Sequence, residues 1–393
     1  LKIPFTDIPV RYRRNGSTNY IEKLDWSTHT WSAVTQGAST SFDIGANSSF
    51  AQIADSFAIA AGRPAVITDI SAGNNNKLGG PAPTAAPGNY TAAGSLTGRF
   101  VYVYTFYDST TGWESSPSPA TGIITVAAQD ITLTGLEVTC AREGVDKKRI
   151  YRTVSTGESP YLRVTEVTLA TTTYADSTAD ASLGADAPDA NDHDPPPTDC
   201  YIIDAHEGRF WCDSGRDLYY SLAYDGTNKV LEYFSPFRKM TFTQTITGLR
   251  SLESGGLLVF TAPGFGIWEV QGRNESSFDP VLKYPYEGTN YHTSVATDGT
   301  TVVFWGDIGP KAILPNGAIK DISQDFSDTY QLPLSAKFDE DMFVWSVWGG
   351  VNRGFIMSIG GTNTNAGDWS DEIGFAPATW EDAVTMSPVE WES

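Results

Sequence analysis

The residues in this chain that could do chemistry are few and scattered. Its four histidines, His29, His193, His206 and His292, stand far apart, and none belongs to an H-E-x-x-H run that would place two imidazoles on one helix face for zinc. Three cysteines, Cys140, Cys200 and Cys212, form no C-x-x-C pair and give an odd count, so free and mostly buried thiols are expected; a Cys200–Cys212 bridge flanking a hairpin is the alternative. Carboxylates crowd two places, Asp186, Asp189, Asp192 and Asp194 in one and Asp368, Asp371 and Glu372 in the other. Such oxygen density could hold Ca²⁺, but EF-hand spacing is missing and Pro195-Pro196-Pro197 follows the first cluster at once, so both read as solvated charge runs. No G-x-S-x-G elbow or P-loop occurs, and Gly264-Phe265-Gly266 falls in a hairpin turn rather than between strand and helix. No catalytic, cofactor-binding or metal-binding residue is assigned, and no cofactor is expected.

The elements that would position any site are set by composition and charge. The chain has 393 residues, 40% of them hydrophobic and 12% aromatic, which is ample for a packed core. Charged residues make up only 19%, so Thr, Ser, Asn and Gly must supply much of the polar surface, a mix that favours strands and turns. With 26 Lys and Arg against 47 Asp and Glu, the net charge is −21. Long contact with a phosphate backbone would be repelled, which excludes a conventional nucleic-acid binder. No run approaches the roughly 18 apolar residues of a membrane span, and LKIPFTDIPVRYRRNG lacks the apolar stretch of a secretory signal, so neither membrane insertion nor export is indicated. The basic runs Arg11-Tyr12-Arg13-Arg14 and Lys147-Lys148-Arg149 are short and read as surface or interface charges.

Three segments share one design: turn, apolar strand, Gly-containing turn, second apolar strand. They are HEGRFWC to DLYY, GGLLVF to GIWEV, and DGTTVVFW to KAIL, recurring about every 45 residues, as propeller blades do. A fourth hairpin, MFVWSVWGGVNRGFIMSIGG, turns at Gly349-Gly350, and NYIEKLDWSTHTW near the start reads as another strand, turn and strand. Between them lies a different region. Residues 78–97 are rich in Gly, Pro and Ala and read as an extended connection. Residues 98–180 carry the short alternating strands of an immunoglobulin or fibronectin III type β-sandwich. Residues 181–199 form an acidic, proline-ended linker. The fold class is therefore all-β: a β-propeller-like repeat domain in residues 1–77 and 200–393, interrupted by an inserted sandwich. The end of the chain shows a weak helical pattern at 379–386 and an acidic tail with Trp380 and Trp391.

Several segments follow one another in order: Leu78-Gly79-Gly80-Pro81-Ala82-Pro83-Thr84, Tyr102-Val103-Tyr104-Thr105-Phe106, Trp113-Glu114-Ser115-Ser116-Pro117-Ser118-Pro119 and Arg149-Ile150-Tyr151-Arg152-Thr153. Then come Thr173-Tyr174-Ala175-Asp176-Ser177, Asp194-Pro195-Pro196-Pro197, Gly208-Arg209-Phe210-Trp211 and Ile267-Trp268-Glu269-Val270-Gln271-Gly272. In this succession the chain resembles the β-propeller nozzle proteins at the distal end of the tail tube of short-tailed bacteriophages. The resemblance implies a non-enzymatic virion component in the phage tail, self-associated as a homohexameric ring through which double-stranded DNA passes without specific binding. It implies as neighbours the tail adaptor or connector proteins and the tail fibres or spikes. Two other readings stand beside it. One is a tail adhesin that binds host surface glycan through exposed aromatics. The other is a propeller glycosidase of the sialidase kind, which needs several arginines converging on a Tyr/Glu pair; DWSTHTW at residues 25–31 is faintly similar to the Asp-box of those folds, but lacks its Gly and does not recur.

Overall fold

The computed structural model describes residues 74–322 except 254 and 308, together with residues 10–15, 18–25, 28, 30–33, 35–36, 49–60, 66–69, 342–349 and 352–359. His29, the Asp368, Asp371 and Glu372 cluster, the helical pattern at 379–386, and Trp380 and Trp391 lie outside the described residues. Within them the protein is all-β, with sheets that are almost wholly antiparallel and only short 3-10 turns as helix.

The chain opens with a three-stranded sheet of β1 (Val10–Asn15), β2 (Thr18–Asp25) and β3 (Thr30–Ala33). A five-stranded sheet follows, built from β4 (Thr35–Gln36), β5 (Ser49–Ile53), β6 (Ser56–Ala60), β7 (Val66–Asp69) and β8 (Asn74–Lys77) in the order β4-β8-β7-β6-β5. The chain then builds two facing three-stranded sheets. One is β14-β11-β9, from β9 (Gly88–Phe100), β11 (Ile124–Thr134) and β14 (Tyr174–Asp176); the other is β10-β12-β13, from β10 (Tyr102–Tyr107), β12 (Lys147–Arg152) and β13 (Leu162–Thr168). Leu96, Tyr102, Tyr104, Ile131, Leu133 and Ile150 are buried in the single core between them. The alternation of TVAAQDITLT and YVYTFY supplies these inward positions, since successive strand residues point to opposite faces.

Three four-stranded sheets come next, each running in chain order. They are β15 (Ile203–His206) to β18 (Lys239–Thr241) through β16 (Arg209–Ser214) and β17 (Asp217–Tyr220); β19 (Ile246–Ser251), β20 (Leu257–Thr261), β21 (Ile267–Gln271) and β22 (Asp279–Tyr284); and β23 (Ala296–Thr297), β24 (Val302–Trp305), β25 (Pro310–Ile313) and β26 (Ile319–Asp321). Tight turns set their register. Between His206 and its cross-strand partner Arg209, Glu207 (φ 46°) and Gly208 (φ 67°) both take the left-handed conformation that a two-residue hairpin turn requires. The sheets stack face to face. Ala51, Ala58 and Ala60 pack with Phe210 and Cys212; Trp211 and Leu218 pack with Leu249 and Val259; Phe260 and Ile267 pack with Val302 and Phe304. A final hairpin pairs β27 (Met342–Gly349) with β28 (Asn352–Ile359) as MFVWSVWG and NRGFIMSI lead one to expect, except that Gly349, expected in the turn, still pairs within the strand opposite Asn352.

Two stretches differ from the sequence reading. Within residues 78–97, expected to be a connection, β9 already begins at Gly88 and pairs with β11 from Gly88↔Thr134 onward. Tyr90 and Thr91 favour a strand, but Ala92, Ala93 and Gly94 offer nothing to bury, so the alternation that marks a half-buried strand is missing. The acidic stretch 181–199 is docked rather than free. Its backbone pairs with β13 through Gly184 N to Arg163 O (2.7 Å) and Ala187 N to Tyr161 O (2.8 Å), and Asp194 exchanges hydrogen bonds with Phe234.

Candidate functional site

The chain leaves the stacked sheets after β8 and returns to them at β15, and the crossing point is the most chemically elaborate place in the described structure. At its centre is Arg142, whose side chain is fully buried. Its Nε and Nη2 donate to Glu232 at 2.7 and 2.9 Å, and Nη1 donates to Asp108 Oδ2 at 3.0 Å and to Glu143 O at 2.9 Å. The planar fork lies 4.6 Å from the Trp113 ring centroid, a cation–π contact that adds to the pairing. Glu232 also accepts from the Gly79 backbone N–H at 3.1 Å. Burial alone would drive the guanidinium toward neutrality, but Glu232 and Asp108 outweigh it and hold the charge more firmly than in water. Gly79 and Gly80 are needed here. A Cβ on Gly79, at φ 75°, would stand 2.8 Å from Glu232 O and 2.9 Å from Pro195 Cα, and one on Gly80 would meet Trp113 at 2.9 Å. An apolar layer of Phe106, Trp113, Val230 and Tyr233 lies in the same seam.

A second node adjoins it. Glu114 accepts from Thr105 Oγ1 (2.7 Å), Tyr151 Oη (2.5 Å) and Arg149 Nη1 (2.6 Å), and its backbone N–H donates to Tyr233 Oη at 2.9 Å. The His193 ring stacks on Tyr233, with centroids 3.7 Å apart and planes within 1°. Its backbone N–H donates to Ser116 Oγ (3.0 Å) and Nδ1 lies 2.9 Å from Glu114 O. Burial lowers the His193 pKa and favours the neutral ring, so Nδ1 carries the proton and donates, while Asp192, 4.0 Å away, gains no ion pair at neutral pH. A third node holds Arg152 between Asp176 (2.9 Å) and Asp180 (2.7 Å); its Nε faces Asp176 outside hydrogen-bond geometry, and Tyr102 Oη donates to the same carboxylate at 2.7 Å. Burial, then the adjacent carboxylates, push the Tyr102 and Tyr151 phenols far up, so both are hydrogen-bond donors and not nucleophiles at neutral pH.

The segments that carry the family resemblance thus converge. LGGP, WESSPSP, RIYRT, TYADS and DPPP each contribute to one of these nodes, whereas Arg142 and Glu232, which join Gly79, Asp108 and Trp113, lie outside every segment singled out from the sequence. Their spacing of 90 residues leaves no local pattern to find. The basic run is also placed differently from the surface reading. Lys148 is buried, with Nζ donating to Glu137 O at 2.7 Å and to Thr171 O, and burial brings its ammonium down to about 8. Arg149 pairs with Glu114 and Glu166, while Lys147 is half-exposed.

Other residues considered from the sequence lie apart. His206 donates to or accepts from Ser251 Oγ at 2.8 Å, and Cys140, Cys200 and Cys212 are free thiols. Asp192 pairs with Arg238, while Asp186 and Asp189 are exposed on the surface. Among the described residues, no group of three or more His, Cys, Asp and Glu is placed to hold a metal ion. Arg209 and Arg238 meet at Glu275, at 3.0 and 3.4 Å, beside Tyr220; this is two arginines rather than the three or more that a sialidase-like centre calls for. An open cleft of about 380 Å³ is lined by Glu207, Glu253, Glu269, Gln271 and Arg273 with three glycines, but Glu269 is already satisfied by Lys283 and Gln271, both at 2.8 Å.

No family model matches the chain, and no curated protein matches it. Among solved structures it is similar to Hsv2 of Kluyveromyces lactis, with 8% identity, a TM-score of 0.24, and coverage of 77% of this chain and 85% of that one. It is also similar to dipeptidyl peptidase 4 of Porphyromonas gingivalis, with 10% identity, a TM-score of 0.22, and coverage of 80% and 52%. A third is PorZ of the same organism, a surface component of the type-IX secretion system, with 13% identity, a TM-score of 0.19, and coverage of 80% and 40%. The chain spans about half the length of the peptidase and less of PorZ. Likeness at these scores carries no functional argument.

Proposed function

We propose that the chain is a structural component of a bacteriophage tail, forming an oligomeric ring at the end of the tail tube that conducts or gates the genome during ejection. In this reading the ring is a homohexamer, the stacked four-stranded sheets are blades of a β-propeller, and the two facing sheets are an immunoglobulin-like sandwich inserted between blades. The observation that carries it is the joint around Arg142. LGGP and the Trp of WESSPSP, two of the segments that resemble the nozzle proteins, meet there around an arginine whose donors are all paired, and the network joins one unit to the other. Residues that lock two units together serve a part that bears load, and the chemistry here faces inward. The net charge of −21 supports the same reading, because a channel in an acidic ring would let duplex DNA slide without the counterion release that makes it stick. Electron microscopy of the assembled full-length chain tests the proposal. A closed sixfold ring with a central channel is expected, and a chain that stays monomeric at every concentration overturns it.

A second reading, a glycan-binding tail adhesin, is favoured by one feature. Phe265 and Tyr286 are exposed at 52% and 83% in turns joined by Gly264 N to Tyr286 O, which gives two aromatic faces on which sugars could stack. Binding to host polysaccharide that is lost in Tyr286→Ala would move the assignment there.

A further inference from the structure

We infer that the outer edge of β9 is the surface by which one copy of this chain takes up a strand of a second copy. Sheet edges present unpaired N–H and C=O groups, and proteins that must not associate blunt them with short strands, Lys, Pro or covering loops. The other edges of the two facing sheets, and the last strand of each four-stranded sheet, carry these devices. β10 is covered by residues 115–121, whose Ser115, Ser118 and Thr121 amides donate to Phe106, Tyr104 and Tyr102 carbonyls. β13 is covered by residues 184–187. β14, β18 and β26 are three residues long, and β18 and β26 bear Lys239 and Lys320. β22 is longer but contains Asp279, Pro280 and Lys283.

Residues 88–93 of β9 have none of them, whereas its end at Arg99 is covered by Ser155 and Thr156. The strand runs for 13 residues, and residues 88–95 are exposed on both faces. One side pairs with β11, and among the described residues no backbone group bonds to the other side of residues 88–93. From Gly88 to Gly98 no side chain is charged, and Thr91, Ala92 and Ala93 leave a flat approach, while the Asp130 carboxylate of β11 lies against Gly94 and Ser95. The missing charge names the occupant. Two copies of a chain with net charge −21 repel wherever acidic surfaces meet, so contact between them is least opposed along an uncharged stretch such as residues 88–93. Main-chain hydrogen bonds then supply the adhesion, as in other strand-addition interfaces. The inference rests on the self-association that the ring reading requires, and supplies its interface.

The test uses the full chain and the double variant Thr91→Glu/Ala93→Glu, with particle mass by light scattering across a concentration series. Amide exchange of residues 88–100 in dilute and concentrated wild-type protein is followed in parallel. Wild type is expected to assemble with these amides becoming protected, and the variant to need at least about tenfold more protein to assemble while melting at the same temperature. A two-copy assembly broken by the variant would uphold the edge and overturn the ring. A six-copy ring indifferent to the variant, with unprotected amides, would overturn the edge and leave the ring standing. A wild type that never associates would overturn both.

Discussion

Two side chains show how differently a buried charge can act. Arg142 is paired on every side, and removing it strands Glu232 and Asp108 in a buried seam, where an uncompensated charge is costly. Arg142→Ala is therefore expected to lower unfolding free energy by about 3–5 kcal/mol in urea titrations, with Arg142→Lys intermediate because it keeps the charge and loses the fork. A loss below about 1 kcal/mol, the size of an exposed pair, would mean the network is solvated. Among the described residues Asp213 has no cation partner. Burial pushes its carboxyl up to about 6, although Tyr201 and Ile202 amides donate to Oδ1 at 2.8 and 2.7 Å and pull the other way. A folded pKa above the unfolded one means the native state holds the proton more tightly, so this contribution is present below about pH 4 and lost as pH rises through about 6. Asp213→Asn keeps the Oδ1 acceptor and never ionises. It should match wild type near pH 4 and exceed it by roughly 1–3 kcal/mol at pH 7. Equal stabilities at both pH values would show that Asp213 is not desolvated.

At the scale of elements, the crossing between the two-sheet unit and the stack depends on backbone as much as on side chains. Gly79 combines a left-handed φ of 75° with a carbonyl and a proline where a Cβ would stand, whereas Gly122 has open space around it. Gly79→Ala should cost about 1–3 kcal/mol, and Gly122→Ala should be neutral or slightly stabilising by chemical denaturation. Equal effects would place the strain elsewhere. The same crossing marks the limit of what sequence conveys. YVYTFY, KKRIYR and the GGLLVF hairpin were legible because alternating apolar residues and glycine turns are local patterns. β9 was not, since an exposed strand of small residues has nothing to alternate. Lys148 read as surface because charge says nothing of the carbonyls that a fold brings to it. Arg142, Asp108 and Glu232 carry no neighbouring motif, and only the chain's return at β15 brings them together. Gly79, Trp113 and Pro195 were noticed as punctuation, but their meeting is a fact of topology.

For the whole molecule, the net charge of −21 must shape how copies meet one another and how they meet DNA. If association runs along the uncharged residues 88–93 of β9, long-range repulsion opposes it and no ion pair rewards it. Raising ionic strength from about 0.01 M to about 0.15 M shortens the screening length from about 30 Å to about 8 Å, so added salt should strengthen assembly. An interface built on Lys or Arg of one copy against Asp or Glu of another would weaken instead, which makes the sign of the salt effect diagnostic. DNA gives the complementary test. A basic ring would bind duplex tightly at low salt and release it steeply as salt rises, because each neutralised phosphate frees counterions. This chain should show no retention of duplex at low salt, where any attraction would be greatest. Sedimentation and filter retention across one salt series read both quantities. Assembly that grows with salt while DNA stays free at every point fits a conduit that repels its cargo; assembly that dissolves with salt, or duplex held at about 0.01 M, would mean that basic residues line a contact and that acidity is not what governs passage.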